Sequence, residues 1–260
     1  MRDMINLSNQ IVAWLKNYAE TNNRKTFVVG VSGGVDSALV STLCAMTGLP
    51  THCVTMPCQT KPDQTTRGDT HIKWLQNKFT NVEAFLVDLT KSFESIQKSF
   101  GGFCDIPLGW ANTKSRLRMI ALYQIATTNY GLVVGTGNKI EDYGVGFFTK
   151  YGDGGVDLSP IGDLTKTEVR EMSRALGILP ELSEAIPTDG LWEDNRTDEQ
   201  QLGASYQELE WAMKFEDWRV ANPTVKVDIT ERQNEVLKTY RKWHNAGQHK
   251  LNPIPVFKPI

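Results

Sequence analysis

The residues Val28 to Ala38 read VVGVSGGVDSA, a set of types and spacings suited to holding phosphate. Apolar Phe27, Val28, Val29 and Val31 predict a short buried strand running into Gly30. Gly33-Gly34 predicts a turn with positive φ and exposed amides, and Val35-Asp36 begins a helix. Backbone N–H groups at a turn that opens a helix point at an anion and carry partial positive charge. Ser32 and Ser37 add hydroxyl donors. The lysine of a Gly-x-x-x-x-Gly-Lys loop and the third glycine of a Gly-x-Gly-x-x-Gly fingerprint are both absent, so this is neither of those loops. Helix capping, worth about 1 kcal/mol, would account for Ser32, Asp36 and Ser37 but not for Gly-Gly between two serines.

A second chemical stretch is GFFTKYGDGGVDLSP at 146–160: two aromatics beside a lysine, a glycine-rich turn with Asp153, then Asp157. As structure alone it would be a turn with two rings buried beneath it. The four histidines, at 52, 71, 244 and 249, are too scattered to suggest a metal site.

Alternating elements must position these residues. Helical spacing of Ile5, Leu7, Ile11, Val12, Leu15 and Tyr18 predicts an opening amphipathic helix. After the first strand and a helix over 36–46, HCVTMP (52–57), a helical stretch (65–79) and VEAFLVDL (82–89) read as strand, helix, strand. Helices around 90–100 and 111–129 precede another buried strand, GLVVGTG (131–137). This alternation predicts an α/β fold, a doubly wound and mainly parallel sheet flanked by helices. From 164 onward the pattern is helical, giving a helical C-terminal part, with one helix ended by Gly177 and Pro180. Ligands in open parallel sheets sit at the carboxyl ends of strands, so the turns at 30–37 and 135–142 are expected to face one crevice. The polar segment 188–201, with few apolar anchors, is expected to be mobile and to close over bound substrates.

The chain has 260 residues, 40% of them hydrophobic, and a net charge of −2. That length predicts a single domain over 1–260 with a substantial core. The charge argues against a nucleic-acid partner. No run approaches the ~20 apolar residues of a membrane span, which predicts a cytoplasmic protein with no membrane partner. Cys44, Cys53, Cys58 and Cys104 form no C-x-x-C pair, and a buried strand is expected to supply one of Cys53 and Cys58.

Ser-Gly-Gly-x-Asp-Ser after a strand resembles the pyrophosphate loop of the N-type ATP pyrophosphatases, which split ATP into AMP and pyrophosphate. Further motifs narrow the resemblance. NTKSRLRM at 112–119, GTGNKIED at 135–142, the 146–160 stretch, LTK at 164–166, IPT at 186–188 and HK at 249–250 together resemble ammonia-dependent NAD synthetase over about residues 5–250. The resemblance implies a ligase that adenylates the nicotinate carboxylate of deamido-NAD⁺ with ATP and Mg²⁺ and lets ammonia displace AMP. It also implies a homodimer with deamido-NAD⁺ near the subunit interface. Carried over by motif, Gly30, Val31, Ser32, Gly33, Gly34, Val35, Asp36 and Ser37 hold ATP, with Thr136, Lys166 and Thr188. Asp36 and Glu141 hold Mg²⁺. Arg116, Lys150, Asp157, His249 and Lys250 contact deamido-NAD⁺, and Asp36, Asp157 and Lys166 carry the catalytic roles. Many members have Gly-Thr-Asp-His-Ala-Ala-Glu where this chain has Gly-Thr-Gly-Asn-Lys-Ile-Glu, and one extra residue precedes Phe-Phe-Thr-Lys, which makes Asp142 a rival metal ligand.

Other readings compete. A tRNA-thiolating or lysidine-forming enzyme with the same loop would need a basic face and often clustered cysteines. A nucleotide sensor without turnover would not need both Asp36 and Glu141. A glutamine-hydrolysing synthetase would carry an amidase domain, for which a chain of this length is expected to leave no room.

Overall fold

Residue alternation along the first strand decides which helices it can carry. In β1 (Thr26–Gly30), Phe27 and Val29 face one way and Val28 the other, as the two-residue period of a strand requires. The computed structural model describes residues 2–59, 62–188 and 196–259, the backbone alone for 62–65. Phe27 and Val29 pack with α1 (Met4–Thr21), α2 (Val35–Met46) and α6 (Lys166–Ala175) through Leu15, Leu39, Leu43, Val169 and Met172. On the opposite face Val28, Val54 and Val133 meet Phe93 of α4 (Thr90–Phe100) and Leu117 and Ala126 of α5 (Pro107–Thr128). The sheet is therefore covered on both faces, as expected for a doubly wound fold.

The remaining strands are β2 (Thr51–Thr55), β3 (Val82–Leu86) and β4 (Gly131–Val133), and every pairing is parallel, in the order β3-β2-β1-β4. Strands β1, β2 and β3 grow in one direction and β4 lies on the other side of β1. The direction of winding thus reverses between β1 and β4, which is where such sheets bind ligands. Helix α3 (Pro62–Lys78) crosses from β2 to β3. Strand β4 is shorter than the expected 131–137: Val134 makes a lone parallel bridge to Leu158, and the chain leaves the sheet at Gly135. Strand β3 likewise ends at Leu86 rather than 89. Helix α5 begins before 111, at Pro107, whose fixed φ suits a first helical position.

The helical C-terminal part comprises α7 (Pro180–Ser183), α8 (Asp198–Leu202), α9 (Tyr206–Ala221) and α10 (Glu231–Leu251). Thr197, Ser205 and Thr230 each start one of the last three with a reciprocal capping box, satisfying donors that a helix start leaves open. Leu202, Leu209, Leu237 and Tyr240 form a separate small core around Ile140 and Val145, so these helices back the loop that follows β4. Of the segment expected to act as a lid, residues 189–195 lie outside the described residues, and 198–202 form α8. Cys44, Cys53 on β2 and Cys58 are buried free thiols and Cys104 is an exposed one. Among the described residues no helix is long and apolar enough to cross a membrane.

Candidate active site

The glycine turn closes on itself. Ser37 Oγ accepts from Ser32 N at 3.2 Å and donates to Gly34 O at 3.0 Å, while Ser32 Oγ accepts from Gly34 N at 3.3 Å. Gly33 has φ 83°, which a side chain would strain, and Gly34 is the N-cap of α2. The 12-residue helix behind it directs its positive end into the crevice. Helix α3 braces the turn: a Cβ at Gly68 would stand 3.2 Å from Val31 O.

Across the crevice the chain makes a single π-helical turn, Ile140–Gly144, with Gly144 N donating to Lys139 O and Val145 N to Ile140 O. Single π turns of this kind are frequent at functional sites. Asn138, fully buried, pins the turn. Its Oδ1 accepts from Ile140 N and Glu141 N, each at 3.1 Å, and its Nδ2 donates to Asp36 Oδ1 at 3.1 Å. Glu141 consequently enters the crevice, while the Asp142 carboxyl lies against Gly137, where a Cβ would fall 1.9 Å from Oδ2. Burial, with Glu141, Asp153 and Asp36 repelling it, holds Asp142 well above the usual carboxylate range.

Lys166 is the first residue of α6, set there by the Thr165–Glu168 capping box. Its buried Nζ donates to Asp36 Oδ2 at 2.6 Å and to Glu141 Oε1 at 2.9 Å. Burial alone would lower its pKa, but the two carboxylates hold it above the ordinary lysine value. For Glu141 burial works upward, and the Lys166 ammonium with the Tyr206 hydroxyl outweighs it and brings the group below its ordinary value. Two carboxylates and one ammonium leave a net charge of −1. Hard oxygens in that charge state suit Mg²⁺, which is usually held by one or two carboxylates completed by substrate phosphate. Among the described residues no cluster of three or more acidic, His or Cys side chains forms a complete protein cage.

One cavity of about 830 Å³ at the carboxyl ends of β1, β2 and β4 joins these parts. Every residue from Gly30 to Ser37 lines it, as do Thr136, Glu141, Lys166 and Thr188. Its far wall holds Arg116, Lys150, His249 and Lys250. Arg116 Nε donates to Lys150 O at 3.2 Å, Lys150 Nζ to His249 O at 3.0 Å, and Lys250 Nζ to Phe148 O at 2.7 Å and to Gly146 O. Glycine permits this meeting of distant segments: a Cβ at Gly146, φ 63°, would come 2.7 Å from the Gly247 Cα, so α10 can cross the loop there. Asp153 ties the wall to α5, accepting from Ser115 Oγ at 2.6 Å and Thr149 N at 3.0 Å.

Asp157 is not brought to this cavity. It is exposed, and its carboxylate accepts from Val133 N at 2.8 Å and Tyr123 Oη at 3.1 Å, closing the free edge of β4. That contact, after burial, helps push the Tyr123 phenol up to about 12. Residues that sequence reasoning passed over also contribute. Arg67 of α3 and Arg118 of α5 line the cavity, Arg118 donating Nε to Met56 O at 3.2 Å. The Asn in GTGNKIED, three residues before the acidic pair, was a readable cap signal; Arg67 and Tyr206 stand in helical stretches with no local signal.

The family model described as NAD synthase matches residues 7–254. The chain belongs to the NAD synthase family. It is a ligase of that family, similar at 35% identity to the NH(3)-dependent NAD(+) synthetase of Saccharolobus solfataricus, with 97% of this chain and 88% of the relative covered. Among solved structures it resembles an NMN synthetase from Francisella tularensis, at TM-score 0.85 and 29% identity, covering 98% of this chain and 99% of that one. An NH3-dependent NAD synthetase from Campylobacter jejuni has the same fold, at TM-score 0.77 and 20% identity over 99% of this chain and all of the other. The doubly wound arrangement expected from the sequence is thus the arrangement of this family.

Proposed function

We propose that this ligase amidates deamido-NAD⁺ with free ammonia to give NAD⁺, using ATP with Mg²⁺ and releasing AMP and pyrophosphate. The observation that carries this is a single cavity with a phosphate-type turn and two carboxylates on one side and two lysines, an arginine and a histidine on the other. Two anionic substrates can meet there. The glycine turn and the α2 N-terminus hold the β and γ phosphates, with Thr136 and Thr188 alongside. Asp36 and Glu141 hold Mg²⁺, which when bound neutralises the phosphate charge that develops as pyrophosphate leaves. Arg116, Lys150, His249 and Lys250 hold the second substrate with its carboxylate toward the α-phosphorus. A carboxylate oxygen attacks that phosphorus and the bond to the β-phosphate oxygen breaks. Ammonia then adds to the carbonyl carbon, AMP leaves with its oxygen, and one proton is released. No side-chain nucleophile is needed, since positioning and charge stabilisation carry the rate.

Lys166 is already committed to two carboxylates, so further cations must face the phosphates. Arg67 and Arg118 are placed for this. Arg67→Gln is expected to raise KM for ATP about tenfold, the loss of one hydrogen bond to a charged group, with KM for the second substrate unchanged. Steady-state kinetics with each substrate varied would check it, and an unchanged KM for ATP would remove Arg67 from the phosphate site.

The enzyme acts as one cytoplasmic catalytic domain paired with a second copy of itself. Support for pairing comes from Phe103, Ile106, Leu108 and Ile120, exposed just before and along α5 at 80%, 68%, 58% and 58%. Asp157 is hydrogen-bonded to Tyr123 of the same helix α5, and in such a pair it would act toward the partner's substrate or ammonia. The Francisella likeness favours a second reading in which the acceptor is the mononucleotide, nicotinate mononucleotide, and the product NMN.

One experiment tests both. Purified protein is mixed with ATP, Mg²⁺ and NH₄Cl and offered deamido-NAD⁺ or nicotinate mononucleotide, and products are separated by chromatography. NAD⁺ with AMP and pyrophosphate supports the first reading, and faster NMN formation supports the second. ADP with orthophosphate as primary products, or amidation driven equally well by ammonium-free glutamine, would overturn both.

A further inference from the structure

Beneath the carboxylate pair lies a tyrosine that none of the motifs includes. Tyr206, the first residue of α9, is buried, and its hydroxyl donates to Glu141 Oε1 at 2.5 Å. Lys166 Nζ reaches the same oxygen at 2.9 Å and stands 4.9 Å from the centre of the Tyr206 ring. Two donors from two different helices therefore fix one oxygen of Glu141 and leave Oε2 outside that pair of bonds. A second set of contacts runs the other way. Tyr206 Oη is 3.2 Å from Asp198 Oδ2, Tyr206 N donates to Glu199 Oε1 at 3.0 Å, and Asp198 N donates to Pro187 O at 3.1 Å. Pro187 precedes Thr188, and both line the cavity. A phenol has one proton: the shorter contact directs it mainly at Glu141 and the longer one shares it weakly with Asp198, so the hydroxyl links Glu141 to the head of α8.

We propose that Tyr206 is the positioning residue of this site: it orients Glu141 for the metal–nucleotide complex and ties that orientation to the Pro187–Asp198 contact beside Thr188. The proposal rests on the reading of Glu141 as a Mg²⁺ carboxylate. Tyr206 touches neither substrate in this account and acts through Glu141 alone. Removing the hydroxyl while keeping the ring should leave the small core around α9 intact, because the ring and not the oxygen packs with Leu202, Leu209 and Leu237.

The test is Tyr206→Phe, with Asp198→Asn and the double variant. Binding of Mn²⁺ in the presence of α,β-methylene-ATP is followed by electron paramagnetic resonance, alongside the Mg²⁺ dependence of pyrophosphate release and the melting temperature. Tyr206→Phe is expected to weaken Mn²⁺ binding about tenfold and to raise half-saturating Mg²⁺ by the same factor, as for one lost hydrogen bond to a charged group, with melting little changed. Asp198→Asn should weaken binding less, and the double variant should match Tyr206→Phe alone, because the effect passes through the phenol. Unchanged Mn²⁺ affinity in a folded Tyr206→Phe protein would overturn the positioning role while leaving the metal reading intact. Additive effects would overturn the link to Asp198. If the parent protein with the nucleotide analogue binds no Mn²⁺, the metal reading itself fails and takes the proposal with it.

Discussion

Lys166→Met is expected to remove all measurable amidation and to lower the melting temperature by roughly 10 °C. The loss follows from what the side chain holds. Its ammonium lies 2.6 Å from Asp36 and 2.9 Å from Glu141 with almost no exposure, so Met leaves two carboxylates facing each other without a counter-charge. Breaking a buried pair from one side costs about 3–5 kcal/mol, and in a domain of this size each kcal/mol moves melting by about 2–4 °C. The variant should also acquire a further pH dependence, beyond that of the parent. With Lys166 gone, burial and mutual repulsion raise the folded-state pKa of one carboxylate above its unfolded value. A group raised in that way contributes its stability at low pH and loses it as pH rises through the folded pKa. The deficit relative to the parent should therefore be smaller near pH 5 than near pH 8. Calorimetry of both proteins across that range measures it, and a variant that melts within two degrees of the parent at pH 8 would show that Lys166 is not the tie between these carboxylates.

Glu141→Gln is expected to keep the fold and to reduce Mg²⁺-supported pyrophosphate release by on the order of 10², the usual cost of a lost charge-stabilising group. Lys166 retains Asp36, and Tyr206 can donate to the amide oxygen as it does to the carboxylate, so little packing is disturbed. Asp142→Asn should matter far less. Its carboxyl rests on Gly137 away from the cavity lining, and burial already opposes its charge. Rates over a Mg²⁺ titration separate the two. A near-normal Glu141→Gln enzyme beside a dead but folded Asp142→Asn enzyme would transfer the metal role one position along the π turn.

Much of this site was readable because its chemistry is local. The glycine turn needs Gly33 for a positive φ, and the serines that close it stand within five residues of each other. The buried run before it and the alternation of strands and helices that follows require a parallel sheet, and parallel sheets bind at their carboxyl ends. The identities of Asp36, Glu141 and Lys166, and the membership of Lys150, His249 and Lys250, came from motif resemblance over separated stretches, and these residues line one cavity. Asp157, carried over in the same way, lies on the edge of β4 instead, where the Val133 N–H needs an acceptor and the Asp157 carboxylate supplies it at 2.8 Å.

By itself the sequence determined the strand order's raw material, the phosphate turn and the acidic and basic residue types, since these follow from periodicity, glycine conformation and charge within short windows. Only the tertiary structure decided where charges are spent. No local pattern says that Lys166 is neutralised by residues 130 and 25 positions away, that Tyr206 reaches Glu141 across 65, or that two glycines let α10 deliver Lys250 to a loop about 100 residues earlier. Those contacts depend on helices meeting in three dimensions, and the chain's linear order carries no distance between them.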